Sequence, residues 1–66
     1  MVTLKQIRPG SIVILRGSFG QGPREQATVT EVEADIKNGR PGIDYVTKTS
    51  GSSWAYLSQV EEVLTY

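Results

Sequence analysis

Glycine and proline interrupt this chain so often that short strands are the main regular structure it can hold. Thr3-Leu4-Lys5-Gln6 has the form of a helix start, but Arg8-Pro9-Gly10 stops anything longer than one turn. Ser11 to Arg16 is β-branched and apolar on both faces, which predicts a strand buried on two sides. Gly17-Ser18-Phe19-Gly20-Gln21-Gly22-Pro23 reads as a loop: three glycines and a proline in seven residues leave no room for a helix or a central strand. Glu25 to Glu33 alternates loosely. Its apolar step from Val29 to Val32 is three rather than two, which places a bulge or strong bend near Thr30-Glu31.

Lys37-Asn38-Gly39-Arg40 carries the strongest short hairpin signal, Asn-Gly, where both residues tolerate positive φ, and Pro41-Gly42 is expected to lengthen that connection. Ile43 to Lys48 and Ser53 to Leu57 are the next strands, on either side of a tight polar turn at Thr49-Ser50-Gly51-Ser52. Ser58-Gln59-Val60-Glu61 is a capping-box pattern, while Val63-Leu64-Thr65-Tyr66 favours a strand. One 3₁₀ turn at 58–60 followed by a short closing strand reconciles the two.

The 66 residues suffice for a single domain, residues 1–66, and no more. A chain this short buries only about 60% of the surface it exposes when unfolded. Its core must be economical, with little room for a deep substrate cavity. Cysteine and histidine are both absent. That removes disulfides, thiolate and imidazole metal ligands and the commonest general base, so no enzyme activity, metal or cofactor is expected. A cysteine-free chain fits the cytoplasm. The longest apolar run, Ile12-Val13-Ile14-Leu15, falls far short of the ~20 residues that span a bilayer, and Lys5, Gln6 and Arg8 interrupt any signal-peptide core. No membrane association is expected.

Seven basic and seven acidic residues cancel, but they are sorted along the chain. Lys5, Arg8, Arg16 and Arg24 come first, without an acid among them; Glu25, Glu31, Glu33 and Asp35 follow, without a base. Either adjacent strands pair these opposite signs, or the molecule has one basic and one acidic face.

Five strands with unequal loops must bury one continuous face and leave no long open edge. Curling the sheet on itself meets both demands. The expected fold is an all-β, five-stranded barrel with one short helical turn near each end. Alternation puts Val13, Leu15, Val29, Ile43, Ala55, Leu57 and Val63 inside. This order of elements resembles the SH3-like barrel, with the long loop at 17–24 in the place of the RT loop and Thr49–Ser52 as the distal turn. Pro9-Gly10-Ser11-Ile12-Val13-Ile14-Leu15-Arg16-Gly17-Ser18-Phe19-Gly20 is similar to the opening of KOW-type motifs of ribosomal proteins and transcription elongation factors. Ala27-Thr28-Val29 stands where those motifs have Gly-x-Val. The likeness implies a nucleic-acid contact. The chain also looks like short barrel proteins of bacteria and their phages. Self-association through an exposed strand edge, as a structural homo-oligomer of phage-type assembly, is a further alternative.

Few residues carry chemistry. Gly17-x-x-Gly20-x-Gly22 lacks both the Gly-Lys-Ser/Thr ending of a phosphate loop and a following helix, so it reads as a barrel loop. Glu31, Glu33 and Asp35 alternate on one strand face, where solvated acids are the expected account. Trp54 and Tyr56 sit two apart and share a face: a platform for a peptide or for stacked bases if outward; the alternative is Trp54 as the largest core residue with Tyr45 beside it. Phe19 lies in the middle of the long loop, tucked over the barrel mouth or offered to a partner. Arg24, Lys37 and Arg40 either gather positive charge at one end or, as the default, are solvated loop charges. Phe19, Arg24, Lys37, Arg40, Trp54 and Tyr56 are therefore the candidate partner-binding residues. The favoured reading is a small protein-interaction module. Nucleic-acid contact, drawing also on Arg16 and Lys48, is the alternative, and zero net charge weighs against it.

Overall fold

The computed structural model describes residues 2–49 and 51–66, apart from the side chain of Phe19. Ser50, inside the expected turn at 49–52, thus lies outside the described residues, as does the proposed role of the Phe19 ring. Five antiparallel strands form one sheet: β1 (Ile12–Arg16), β2 (Arg24–Lys37), β3 (Arg40–Thr47), β4 (Gly51–Tyr56) and β5 (Val60–Thr65). The order across the sheet is β4-β3-β2-β1-β5. Strands β1 to β4 form a meander, and β5 returns beside β1. Single 3₁₀ turns occupy Leu4–Gln6 and Leu57–Gln59.

Sequence and ladder agree closely in β2, with one correction. Arg24 to Thr28 pairs with β1, and Thr28 to Lys37 pairs with β3, so one long strand serves two partners. Thr30 is the extra residue between the pairs Val29↔Tyr45 and Glu31↔Asp44, which is the bulge expected from the broken alternation. Asn38 and Gly39 take φ of +55° and +73° between the paired Lys37 and Arg40, the geometry a type I′ turn requires. Pro41-Gly42, however, does not lengthen the connection; both residues belong to β3. Ala34, Asp35 and Ile36 lie opposite Pro41 alone, between the pairs Glu33↔Gly42 and Lys37↔Arg40. Proline has no N–H to give, so the ladder is irregular where it sits and resumes on either side.

The loop at 17–23 holds more structure than its composition suggests. Gly17–Gly20 makes one turn of helix. A single turn needs no propagation, and this one is tied down: the Gly22 N–H donates to the Gly17 carbonyl at 3.0 Å, and Arg16 Nη1 to the Gly22 carbonyl at 3.1 Å. The second 3₁₀ turn begins one residue earlier than expected and takes Leu57 out of β4. Gln59, not Ser58, caps it, with its Oε1 accepting the Tyr56 N–H at 2.9 Å.

Ile7, Val13, Leu15, Ala27, Val29, Ile43, Tyr45, Ala55 and Val60 form one buried cluster. One face of a five-stranded sheet supplies all but Ile7, and among the described residues no second layer covers it, so burying them requires the sheet to curve around that face. Leu57 and Val63, expected inside, are half-buried against that cluster. Val60 takes the interior place in β5 because the 3₁₀ turn and two register shifts against β1 displace the simple alternation. The ladder itself stays open: β4 and β5 are its edges, and no strand pairing joins them among the described residues. Side-chain bonds fasten both ends of β5 to the ends of β1. Buried Gln59 donates through Nε2 to the Arg16 carbonyl at 2.9 Å, fastening the turn before β5 to the end of β1. Ser11, fully buried before β1, accepts the Arg8 N–H at 2.9 Å and donates to the Tyr66 main-chain oxygen at 3.1 Å. No helix among the described residues is long and apolar enough to cross a membrane.

Candidate functional site

Strand alternation decides the placement of the aromatic pair. Ala55, paired with Ile43, points into the core, so Trp54 and Tyr56 on either side of it share the outer face. Both are half-buried. Their rings meet edge to face, 5.2 Å between centroids with an interplanar angle of 90°, an arrangement favoured by the ring quadrupoles. Tyr45, in contrast, is the aromatic of the core at 5% exposure.

The hairpin between β2 and β3 folds against these rings. Lys37 Nζ lies 4.8 Å from the Trp54 centroid, and the Arg40 guanidinium carbon 4.1 Å from the Tyr56 centroid. Both are within cation–π range. Asn38 Nδ2 reaches the Tyr56 hydroxyl at 3.5 Å, and Arg40 Nη2 reaches Ser58 Oγ at 3.4 Å. Asp35 Oδ1 accepts the Gly39 N–H at 2.9 Å and braces the turn. Gly42 makes the approach possible. A Cβ there would stand 2.5 Å from the Ala55 carbonyl oxygen and closer still to the Ile36 side chain.

Four of the six candidates, Lys37, Arg40, Trp54 and Tyr56, therefore form one cluster. Arg24 does not join it. It begins β2 while Lys37 ends it, and its Nε lies 2.7 Å from Glu61 Oε1 on the other side of the sheet. Arg16 Nε holds the second oxygen of Glu61, also at 2.7 Å, and Arg24 Nη2 lies 3.5 Å from Glu62. The Arg16 hydrogen bond, with the charges of Arg16 and Arg24, holds the Glu61 carboxyl below the usual carboxylate range. Here opposite signs pair across strands. The five cations considered for nucleic acid do not converge, since Arg16 and Arg24 are engaged with these acids and Lys48 lines a separate cleft with Glu25 and Thr47.

Sequence reasoning put Glu31 and Glu33 on one strand face but missed Asp44 and their place beside the aromatic pair. Asp44 lies directly opposite Trp54 on β3, and Glu31 directly opposite Asp44 on β2. Glu33 joins this face two residues along. A side-chain hydrogen bond with Asp44 pushes the Glu33 carboxyl up, reinforced by desolvation and by the charges of Asp44, Glu31 and Asp35. The signal was present in the alternation of Glu31 and Glu33, but the register that brings Asp44 beside them depends on the Thr30 bulge.

The cavities near the cluster are shallow. One of about 200 Å³ is lined by Gly17, Ser18, Tyr45, Ser53, Trp54 and Gln59. Another of about 150 Å³ is lined by Val2, Arg40, Pro41, Tyr56, Leu57 and Ser58. Small-molecule sites typically enclose about 300–1,000 Å³, so this face suits a macromolecular surface better than a ligand pocket. A larger cleft, about 460 Å³, is lined by residues 25–28 and 46–49 and shares no lining residue with the cluster. Comparison with family models, curated proteins and solved structures gives no match to this chain.

Proposed function

We propose that this chain is a non-catalytic, cytoplasmic SH3-like barrel that binds a segment of a partner protein on the outer face of β3 and β4. The strand order supports the barrel: a four-strand meander, a long β2 shared between two partners, and a fifth strand returning beside the first through a 3₁₀ turn. One observation carries the binding face. Trp54 and Tyr56 stand edge to face on an outer surface flanked by shallow grooves, where a partner side chain has aromatic area to cover and polar groups to meet.

The nucleic-acid reading has less support. Ala27, buried at 2% exposure, occupies the position where KOW-type motifs carry glycine, and carboxylates share the outer face with Trp54. Two measurements test the proposal. In an amide-shift titration with mixed single-stranded RNA and DNA, no cluster of shifts is expected at low or moderate salt. Peptides selected from a random display library on the wild-type protein are expected to lose binding to Tyr56→Ala. Salt-sensitive shifts at Lys37, Arg40, Trp54 and Tyr56 on adding nucleic acid would overturn the reading, because release of counterions is the signature of phosphate contact.

A further inference from the structure

We infer that the partner segment carries arginine or lysine side chains, and that the Lys37–Arg40 hairpin is a built-in competitor occupying their places on the two rings. This inference rests on the protein-docking reading above. Both ring faces already accept a cation, from Lys37 at 4.8 Å and from Arg40 at 4.1 Å. The chemistry that suits them is therefore displayed by the molecule itself. Contacts of this kind are weak where solvent reaches them, so an incoming side chain of the same type can replace them.

Charge selects the occupant. Asp44 is the cross-strand neighbour of Trp54, and Glu31 and Glu33 extend the same acidic strip. Glu31, Asp44 and Trp54 stand in one row across three strands, with Glu33 two residues along, so the carboxylates lie beside one another next to the ring. The Glu33 carboxyl is raised by its hydrogen bond with Asp44 and by the neighbouring carboxylates. A phosphate backbone or an acidic peptide would meet repulsion there. A neutral peptide could offer the carboxylates only hydrogen bonds, without an opposite charge, and would have to displace two cations. A guanidinium or ammonium group gains on both counts, covering a ring while approaching Asp44. Arg16, Arg24, Glu61 and Glu62 show the contrasting case, in which opposite charges are matched inside the fold.

The test uses tryptophan fluorescence and amide shifts with three blocked octapeptides that alternate glycine with arginine, citrulline or glutamate, and with octauridine. The arginine peptide is expected to bind best. Combining Lys37→Ala with Arg40→Ala is expected to tighten it about fivefold or more, by vacating two exposed cation–π positions. Asp44→Asn, chosen to leave the hairpin in place, is expected to weaken it about threefold, the size of an exposed charge pair. Equal binding of the citrulline peptide, or unchanged or weaker arginine binding after removal of Lys37 and Arg40, overturns the inference. Preference for the glutamate peptide, abolished by Tyr56→Ala, overturns it while preserving the protein-docking reading. Preference for octauridine, abolished by Tyr56→Ala, overturns both.

Discussion

The two sides of this sheet handle charge in opposite ways. Where β1, the start of β2 and β5 meet, Arg16 and Arg24 grip the two oxygens of Glu61, and Arg24 also reaches Glu62. Where the end of β2, β3 and β4 meet, the cations rest on aromatic rings while the acids crowd one another. The first arrangement is complete without a partner. The second sets carboxylates beside one another, and it is there that the proposed partner segment would gain most. Function is better sought where the fold leaves its own electrostatics unresolved than where charges are most numerous.

Because both regions rest on one core, the largest effect is one that removes the contrast altogether. Leu15 is fully buried at the centre of β1. Leu15→Ala is expected to cost about 2–5 kcal/mol. A chain of this length has about 3–10 kcal/mol in all. Urea denaturation should show a protein that is largely unfolded or close to it, with both halves lost in one transition. Retention of the hairpin signals after the rest has melted would show that the two regions fold separately.

A smaller and more selective effect is expected at Gly42. The alanine methyl of Gly42→Ala would press on the Ala55 carbonyl and on Ile36. Overpacking of this kind costs about 1–3 kcal/mol. The strain falls at the aromatic half, so amide shifts should move at Ile36, Trp54 and Tyr56 and stay nearly fixed at Arg16 and Glu61. Equal movement in both halves would mean that the sheet transmits strain across its width and that the regional contrast is only electrostatic.

The same division separates what was legible in the sequence from what was not. Local signals carried through: the Asn38-Gly39 turn, the bulge at Thr30, the single turn at Leu4–Gln6 and the inward register of Val13 and Leu15 are fixed by φ preference or by period-two patterning. Placement across strands was less accessible. Arg24 was grouped with Lys37 and Arg40 by sign, but the acids opposite it come from β5, far away in sequence. Asp44 went unnoticed beside Glu31 because the bulge changes which residues stand opposite. Pro41-Gly42 looked like loop chemistry and is strand, because an irregular ladder tolerates a missing N–H and the close packing of Ile36 requires a residue without a side chain. Gln59 gave no signal at all. Its bond to the Arg16 carbonyl exists only once β1 and the second 3₁₀ turn have met.

The smallest effect is also the sharpest comparison, because the two carboxylates should answer pH with opposite signs. Glu61 has its carboxyl lowered from the ordinary value near 4.5 by Arg16 and Arg24. The stability it contributes is present above that value and is lost as pH falls through the lower folded one. Glu33 has its carboxyl raised from the same ordinary value by Asp44 and its acidic neighbours. Its favourable contribution is present below the ordinary value and is lost as pH rises through the folded one, so at neutral pH the ionised group opposes folding. Glu61→Gln should therefore lower the thermal midpoint at neutral pH, and Glu33→Gln should raise it. Both differences should shrink toward zero once the pH falls below both carboxyl values, where the wild-type groups are themselves neutral. Added salt should shrink them at neutral pH as well, because both carboxyls are exposed and screening weakens the fields that shift them. Thermal melts of the two variants and the wild type, at neutral and acid pH and at low and high salt, make the comparison directly. Shifts of the same sign at neutral pH would show that the acidic strip is balanced by Lys37 and Arg40 after all, and the electrostatic contrast between the two halves would disappear.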